Sequence, residues 1–330
     1  MQTPITRLLT KCWDLFDGVI FFLTQSYVKK IFLAGESIKE GLETARRLKD
    51  KHYGVTYHVM AEDLTDRHHV QMNVRTNIEL LWLAHKQGLT GNLAVKLSAL
   101  GGSLPLPNSE DQKPHTFNET ESKRHLQYLL RAVRDIPDIE IEIDAEEYHT
   151  LTSTHRVVDE LSLAYPGRLR MAVQMHVPDF YERAKECAYD EKKTRIVRGA
   201  GVYKDEAAEM ATSEEDTNER ALWLMRASIE HGQLPYLGTL TNARLFEHAL
   251  NLLDQHHLSY DIFTLESLYG NIGRSLRKRA CAKGVRVSVY MPIVVDWCIE
   301  AWKPYCTRRV PMMRKYFWNL FLSKVKSIFT

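Results

Sequence analysis

Eight short β-branched runs, each followed by a segment with helical spacing, recur from residue 54 towards the C-terminus, and this alternation leaves the chain few folds to adopt. The runs cover 54–61, 93–100, 139–145, 169–176, 194–200, 234–240, 261–265 and 285–291. Amphipathic spacing marks helices over 74–86, 122–133, 205–230, 243–254 and 274–283. Eight such units in about 270 residues match the size and order of a (β/α)8 TIM-like barrel. A doubly wound sheet fits less well, because it usually has fewer strands and a Gly-rich first turn, and no GxGxxG occurs here. Residues 1–50 are helical in pattern, with a break at Ala34-Gly35-Glu36 and Ser37 as cap for a helix over 38–48. The expected organisation is therefore an N-terminal helical arm, 1–50, packed on a barrel of residues 51–330.

Composition narrows the partners. With 44 Lys and Arg against 42 Asp and Glu, the formal charge is +2, which gives no electrostatic reason to expect nucleic acid. The ligand should be small. Five cysteines, at 12, 187, 281, 298 and 306, form no CxxC and read as reduced thiols, so neither disulfides nor a zinc site is expected. The pairs His68-His69 and His256-His257 lack metal-ligand spacing. The longest apolar run near the N-terminus, 19–23, is far shorter than the roughly 20 residues of a membrane span. A cytoplasmic protein is the expectation.

In a (β/α)8 barrel the C-terminal strand ends face the site, so polar residues there carry chemistry. The pattern puts Lys96, Asp144, Gln174, Arg195, Thr239 and Tyr290 at those ends. Ions on otherwise apolar strands cost several kcal/mol unless paired, as an order of magnitude, so their convergence points to a site or to mutual neutralisation of Lys96 and Asp144. Nearer the C-terminus, Tyr305, Arg308 and Arg309 stand at i, i+3 and i+4, on one helix face. Two adjacent guanidinium forks repel unless an anion lies between them, and the planar fork suits a carboxylate. A small acid is the ligand this suggests. The Gly-, Pro- and Asn-bearing loop over 101–118 could cover it.

These motifs, in this order, resemble the flavin-dependent proline dehydrogenases, both the short bacterial enzymes and the corresponding domain of bifunctional proline utilisation proteins. The resemblance rests on Phe32-Leu33-Ala34-Gly35-Glu36, Ala45-Arg46-Arg47-Leu48, Gly54-Val55-Thr56 through Glu62-Asp63, Lys96-Leu97-Ser98-Ala99-Leu100 and Ile143-Asp144-Ala145-Glu146-Glu147. Gln174, Arg195-Ile196-Val197-Arg198-Gly199-Ala200, Tyr290-Met291-Pro292 and Tyr305 with Arg308 and Arg309 complete it. The resemblance implies FAD over the strand ends, and oxidation of L-proline, or a cyclic analogue such as hydroxyproline, to the cyclic imine by hydride transfer to flavin N5. It further implies that electrons pass to a quinone or similar acceptor.

On the same grounds, Lys96, Arg308 and Arg309 would hold the substrate carboxylate, Asp144 would orient the basic groups, and Tyr290, Tyr305 and Leu268 would pack around the ring. Gln174 and Arg195 would contact the flavin, and Val197, Gly199 and Ala200, with Thr239 and Asn242, would form its bed. There are differences from the family pattern. Thr239-Leu240-Thr241-Asn242 replaces Thr-His-Asn, Tyr203 is displaced from behind Gly199-Ala200, and Pro311 and Met312 stand where the substrate helix would continue to a glutamate. These support a second reading, a barrel that has lost FAD and binds an amino acid as a sensor or regulator. Phe317, Trp318 and Phe321 with Lys315, Lys324 and Lys326 could place the C-terminal stretch against an anionic membrane surface, peripheral at its inner face, or against the barrel.

Overall fold

The computed structural model describes residues 29–106, 117–177, 180–189, 193–197, 213–238, 243–270 and 273–307. Ser37 caps the first helix, α1 (Ile38–Lys49), accepting from the Glu40 N–H at 3.2 Å. The chain then alternates: β1 (Gly54–Val59), α2 (Arg67–Lys86), β2 (Asn92–Val95), α3 (Glu119–Ala132), β3 (Ile141–Ile143), α4 (Leu151–Ala164), β4 (Leu169–Gln174) and α5 (Phe180–Tyr189). It continues with β5 (Lys193–Val197), α6 (Glu214–Glu230), β6 (Tyr236–Gly238), α7 (Ala243–Gln255), β7 (Thr264–Leu268), α8 (Arg274–Ala282), β8 (Arg286–Ile293) and α9 (Trp302–Thr307). All eight strands are parallel and the sheet closes, with β8 hydrogen-bonded to β1 from Gly54 opposite Ser288 to Val59 opposite Ile293. This is the (β/α)8 barrel that the alternation implies.

Strand alternation divides the buried residues into two sets. Val55, Tyr57 and Val59 of β1, Leu93 and Val95 of β2, and Ile141 and Ile143 of β3 join the apolar layer between sheet and helices, together with Leu80, Leu81 and Leu126. The other set points into the barrel and is unusually polar: Thr56, Glu142, Arg170, Arg195, Glu266 and Ser288 are all buried. At its lower end, Arg170 lies over the Tyr236 ring at 3.3 Å and ion-pairs with Glu140, while Asn92 donates to the Tyr236 hydroxyl at 3.1 Å. Polar bonding plugs this end in place of branched aliphatics.

Several boundaries differ from the sequence reading. The seventh strand runs 264–268, not 261–265, because Tyr260–Ile262 forms a 3-10 turn held by Ser259. The shift brings Glu266 and Leu268 onto the strand. The second strand ends at Val95, and Ser98–Leu100 is a 3-10 turn, so Lys96 stands on the strand-to-loop junction. Helices α4 and α5 follow β3 and β4, as the alternation requires, in segments for which the spacing gave no bounds. The helix read over 205–230 is described from Glu214, where Ser213 and Asp216 form a capping box.

The segment before α1 lies along the end of β8. Ala34 N–H donates to the Pro292 carbonyl at 2.7 Å, and Val294 N–H donates to the Gly35 carbonyl at 3.0 Å. Ile31, Phe32 and Leu33 pack there against Met60, Val294, Trp302 and Tyr305. Gly270, with φ +103°, closes the same corner; a Cβ there would lie 1.9 Å from the Ile31 carbonyl oxygen, so no larger residue fits.

Candidate active site

The mouth of the barrel gathers side chains from seven strands or their ends. Lys96, after β2, is buried and ion-paired to Glu62 in the loop after β1. Asp144, after β3, accepts from Arg195 Nη1 at 2.9 Å through Oδ1 and from the Tyr290 hydroxyl at 3.0 Å through Oδ2. Lys96 and Asp144 thus each have a partner besides one another's charge. Arg195 Cζ lies 4.9 Å from the Tyr290 ring centroid, and Tyr290 packs with Leu268 and Ala94. Gln174 donates to the Glu146 carbonyl at 3.3 Å, while its amide oxygen is buried with no hydrogen-bond partner among the described residues.

Charge is distributed unevenly across this cluster. Burial alone would raise the Asp144 carboxyl, but Arg195, Lys96 and the Tyr290 hydroxyl outweigh it and hold it below the usual carboxylate range. Asp144 is therefore an anion that fixes two neighbours. Burial and the Asp144 charge lift the Tyr290 phenol well above its ordinary value, and Tyr305 of α9 packs against Met60 and Val294, just past the ends of β1 and β8. Arg195 stays charged: burial opposes this, and Glu142, Glu266 and Asp144 more than compensate. Its Nη1 is 3.1 Å from Glu142 Oε1 and its Nε is 2.5 Å from Glu266 Oε2.

Sequence reasoning missed four of these groups. His58 of β1 packs against Tyr290 with the rings tilted by 34° and their centroids 5.3 Å apart, and its Nδ1 lies 3.1 Å from the Ala94 carbonyl. A carbonyl only accepts, so Nδ1 carries the proton and Nε2 is left as an acceptor. Burial pushes the imidazole down to about 4, and the ring is neutral at physiological pH. Glu62 is in the first-strand motif but was given no role, because its partner is set by a loop. Glu142 and Glu266 stand two residues before Asp144 and Leu268, a spacing that puts them on the same strand face, and that signal was available.

Of the remaining residues expected at the site, Val197 ends β5 beside Gly238 of β6, where a Cβ would lie 3.1 Å from Val197 Cγ1 and 3.4 Å from Arg195 Nε. Tyr305 is buried in α9. Gly199, Ala200, Thr239, Asn242, Arg308 and Arg309 lie outside the described residues, as does the C-terminal stretch 308–330. Among the described residues no cluster of His, Cys, Asp and Glu could hold a metal ion, Cys187, Cys281, Cys298 and Cys306 form no disulfide, and no helix is long and apolar enough to cross a membrane.

Comparison with known proteins agrees with this architecture. Proline dehydrogenase from Deinococcus radiodurans is 22% identical over 271 residues, covering 81% of this chain and 81% of that protein. Proline utilization A from Bdellovibrio bacteriovorus, inactivated by N-propargylglycine, superposes with a TM-score of 0.72 at 16% identity, over 90% of this chain and 34% of its own. The Corynebacterium freiburgense protein of the same name gives 0.69 at 18% identity, over 94% and 33%. The chain thus spans about a third of these solved structures, and at such identities they speak for the fold. The proline dehydrogenase family model matches residues 41–310, most of the chain, and the chain belongs to that family.

Proposed function

We propose that the chain oxidises L-proline, or a close cyclic analogue such as hydroxyproline, to the cyclic imine with FAD as resident cofactor, and that the electrons then pass to a quinone-type acceptor. The observation that carries this reading is the meeting of Lys96, Asp144, Arg195 and Tyr290 at the strand ends, with Tyr305 brought alongside. The residues present fit a flavin. Gln174 offers a buried amide oxygen without a hydrogen-bond partner among the described residues, and Gly238 lets β6 approach Val197 and Arg195 more closely than a side chain would allow. Bound FAD would supply the two-electron acceptor that no side chain provides.

The protein's own part is positioning. Lys96 presents an ammonium for the substrate carboxylate, and that head already faces Glu62, so an incoming acid joins or replaces an existing anionic partner. Arg308 and Arg309, three and four residues beyond Tyr305, extend the cationic grip. Leu268 and Tyr290 pack together and, with Tyr305, would wall the ring, and fixing carboxylate and ring together orients the carbon that loses its hydrogen. His58, held neutral, adds no positive charge that would repel an approaching ammonium. The membrane-facing role of the C-terminal stretch belongs to the same proposal, since a peripheral contact would bring the site near a lipid-borne acceptor.

The second reading, a binding protein without FAD, is favoured by one observation: Arg195 is already saturated by three carboxylates. A single experiment separates the two. Purified protein should be yellow and should bleach anaerobically on addition of L-proline. Colourless protein that FAD does not reconstitute would establish the binding reading in its place.

A further inference from the structure

Beneath the mouth, three carboxylates share one guanidinium. Asp144 receives hydrogen bonds from Arg195, Tyr290 and its neighbour Ala145 N–H, and Glu266 Oε1 receives one from the Thr56 hydroxyl at 2.6 Å while its Oε2 lies against Arg195 Nε. Glu142 is treated differently. It is 1% exposed, and among the described residues its one ion pair is the 3.1 Å approach of Arg195 Nη1 and neither of its oxygens has a hydrogen-bond partner. Three buried anions around one cation leave an excess of negative charge, and low-dielectric surroundings make that excess costly. A proton relieves it most at the carboxylate with the fewest donors.

We propose that Glu142 is a proton-holding site beneath the mouth, which gains a proton when an anion occupies the mouth and releases it when the anion leaves. The proposal rests on the carboxylate-binding reading of the mouth given above. The charged and titratable groups that act on Glu142 are Asp144 after β3, Arg170 on β4, Arg195 on β5, Glu266 on β7 and Tyr290 on β8, while His58 on β1 and Lys96 after β2 act on Asp144 above it. Arg195 spans the distance: its Nη1 touches both Glu142 below and Asp144 above, so negative charge arriving at the mouth is felt by the same guanidinium that stabilises the Glu142 anion. Burial, reinforced by Glu266 and Asp144, pushes the Glu142 carboxyl up to about 8, so it is mostly protonated at neutrality and its exchange with the mouth falls at pH 8 to 9. Glu146 is a second buried acid, near Lys96, pushed up by burial to about 7, and its response would centre at lower pH.

The test uses the flavin-loaded full chain and cyclopentanecarboxylate, an acid of the substrate's ring size with no nitrogen to oxidise. Calorimetric titration in two buffers of different ionisation enthalpy counts the protons exchanged on binding. If binding raises the proton affinity of Glu142 tenfold, uptake is about 0.4 to 0.5 proton per chain at pH 8 to 9. Glu142→Gln should bind the acid with that uptake abolished, whereas Glu146→Gln should retain it. Infrared difference spectra of the unaltered protein, with and without the acid, should show a protonated-carboxyl C=O band growing on binding, a readout that needs no variant. Binding with no proton uptake, or uptake that survives in Glu142→Gln, overturns the proposal and leaves the mouth's assignment intact. Failure of the acid to bind the unaltered protein overturns both.

Discussion

Removing the cation at the centre of the barrel should produce a defect whose size depends on pH in a direction opposite to ordinary acid denaturation. Arg195→Met keeps much of the side-chain volume but leaves Asp144, Glu142 and Glu266 without their shared guanidinium. Glu142 sits near 8 already, so at pH 7 it is mostly protonated and loses little. The other two must either stay as unpaired buried anions or take up protons. Protonating a carboxyl with a reference value near 4 costs about 4 kcal/mol at pH 7 and about 1 kcal/mol at pH 5. Breaking a buried pair by removing one partner costs about 3–5 kcal/mol. The expected loss of unfolding free energy is therefore about 4–8 kcal/mol at pH 7, falling to about 2–3 kcal/mol at pH 5. In the unaltered protein, Asp144 is depressed, so its contribution is present above its unfolded value and disappears as pH falls. In the variant the carboxyls are raised instead, so stability is lost as pH rises. Against a total of about 5–15 kcal/mol, the variant should be folded in mild acid and close to unfolding at neutrality. Urea denaturation followed by far-UV circular dichroism at both pH values measures this. A penalty below about 1 kcal/mol at pH 7, or one of equal size at both, would refute the claim that Arg195 neutralises the barrel's carboxylates.

Three further outcomes are expected. Tyr290→Phe removes one donor to Asp144 and should cost about 1–2 kcal/mol in chemical denaturation; an unchanged midpoint would place the phenol's hydrogen bond elsewhere. Glu142→Gln should flatten the stability–pH curve: the raised carboxyl favours folding below about 4.5 and loses that advantage as pH climbs to about 8, so the variant should gain a few kcal/mol on the unaltered protein between pH 5 and 8. Arg308→Lys should raise the Michaelis constant for L-proline at least ~tenfold with flavin content unchanged, since a point charge replaces a planar fork. Unaltered kinetics would remove that arginine from the pocket.

The alternation of β-branched runs with helical spacing specified a parallel sheet, because a parallel strand pair needs a crossover, and the count of eight units without a Gly-rich first turn pointed to a closed barrel over an open doubly wound sheet. It was enough, too, to mark Lys96, Asp144, Gln174, Arg195 and Tyr290 as inward-facing ends, since the period of two assigns each strand residue to a face before any partner is known. What it could not decide was who pairs with whom. Lys96 finds Glu62 and Arg195 finds Glu142 and Glu266 through closure of the sheet, which brings residues 34, 53 and 71 positions apart within an ion pair's length. The protonation of Glu142 and the neutrality of His58 follow from the same closure: a carboxyl or imidazole acquires its character from the dielectric and charges around it, and those exist only once the barrel has formed.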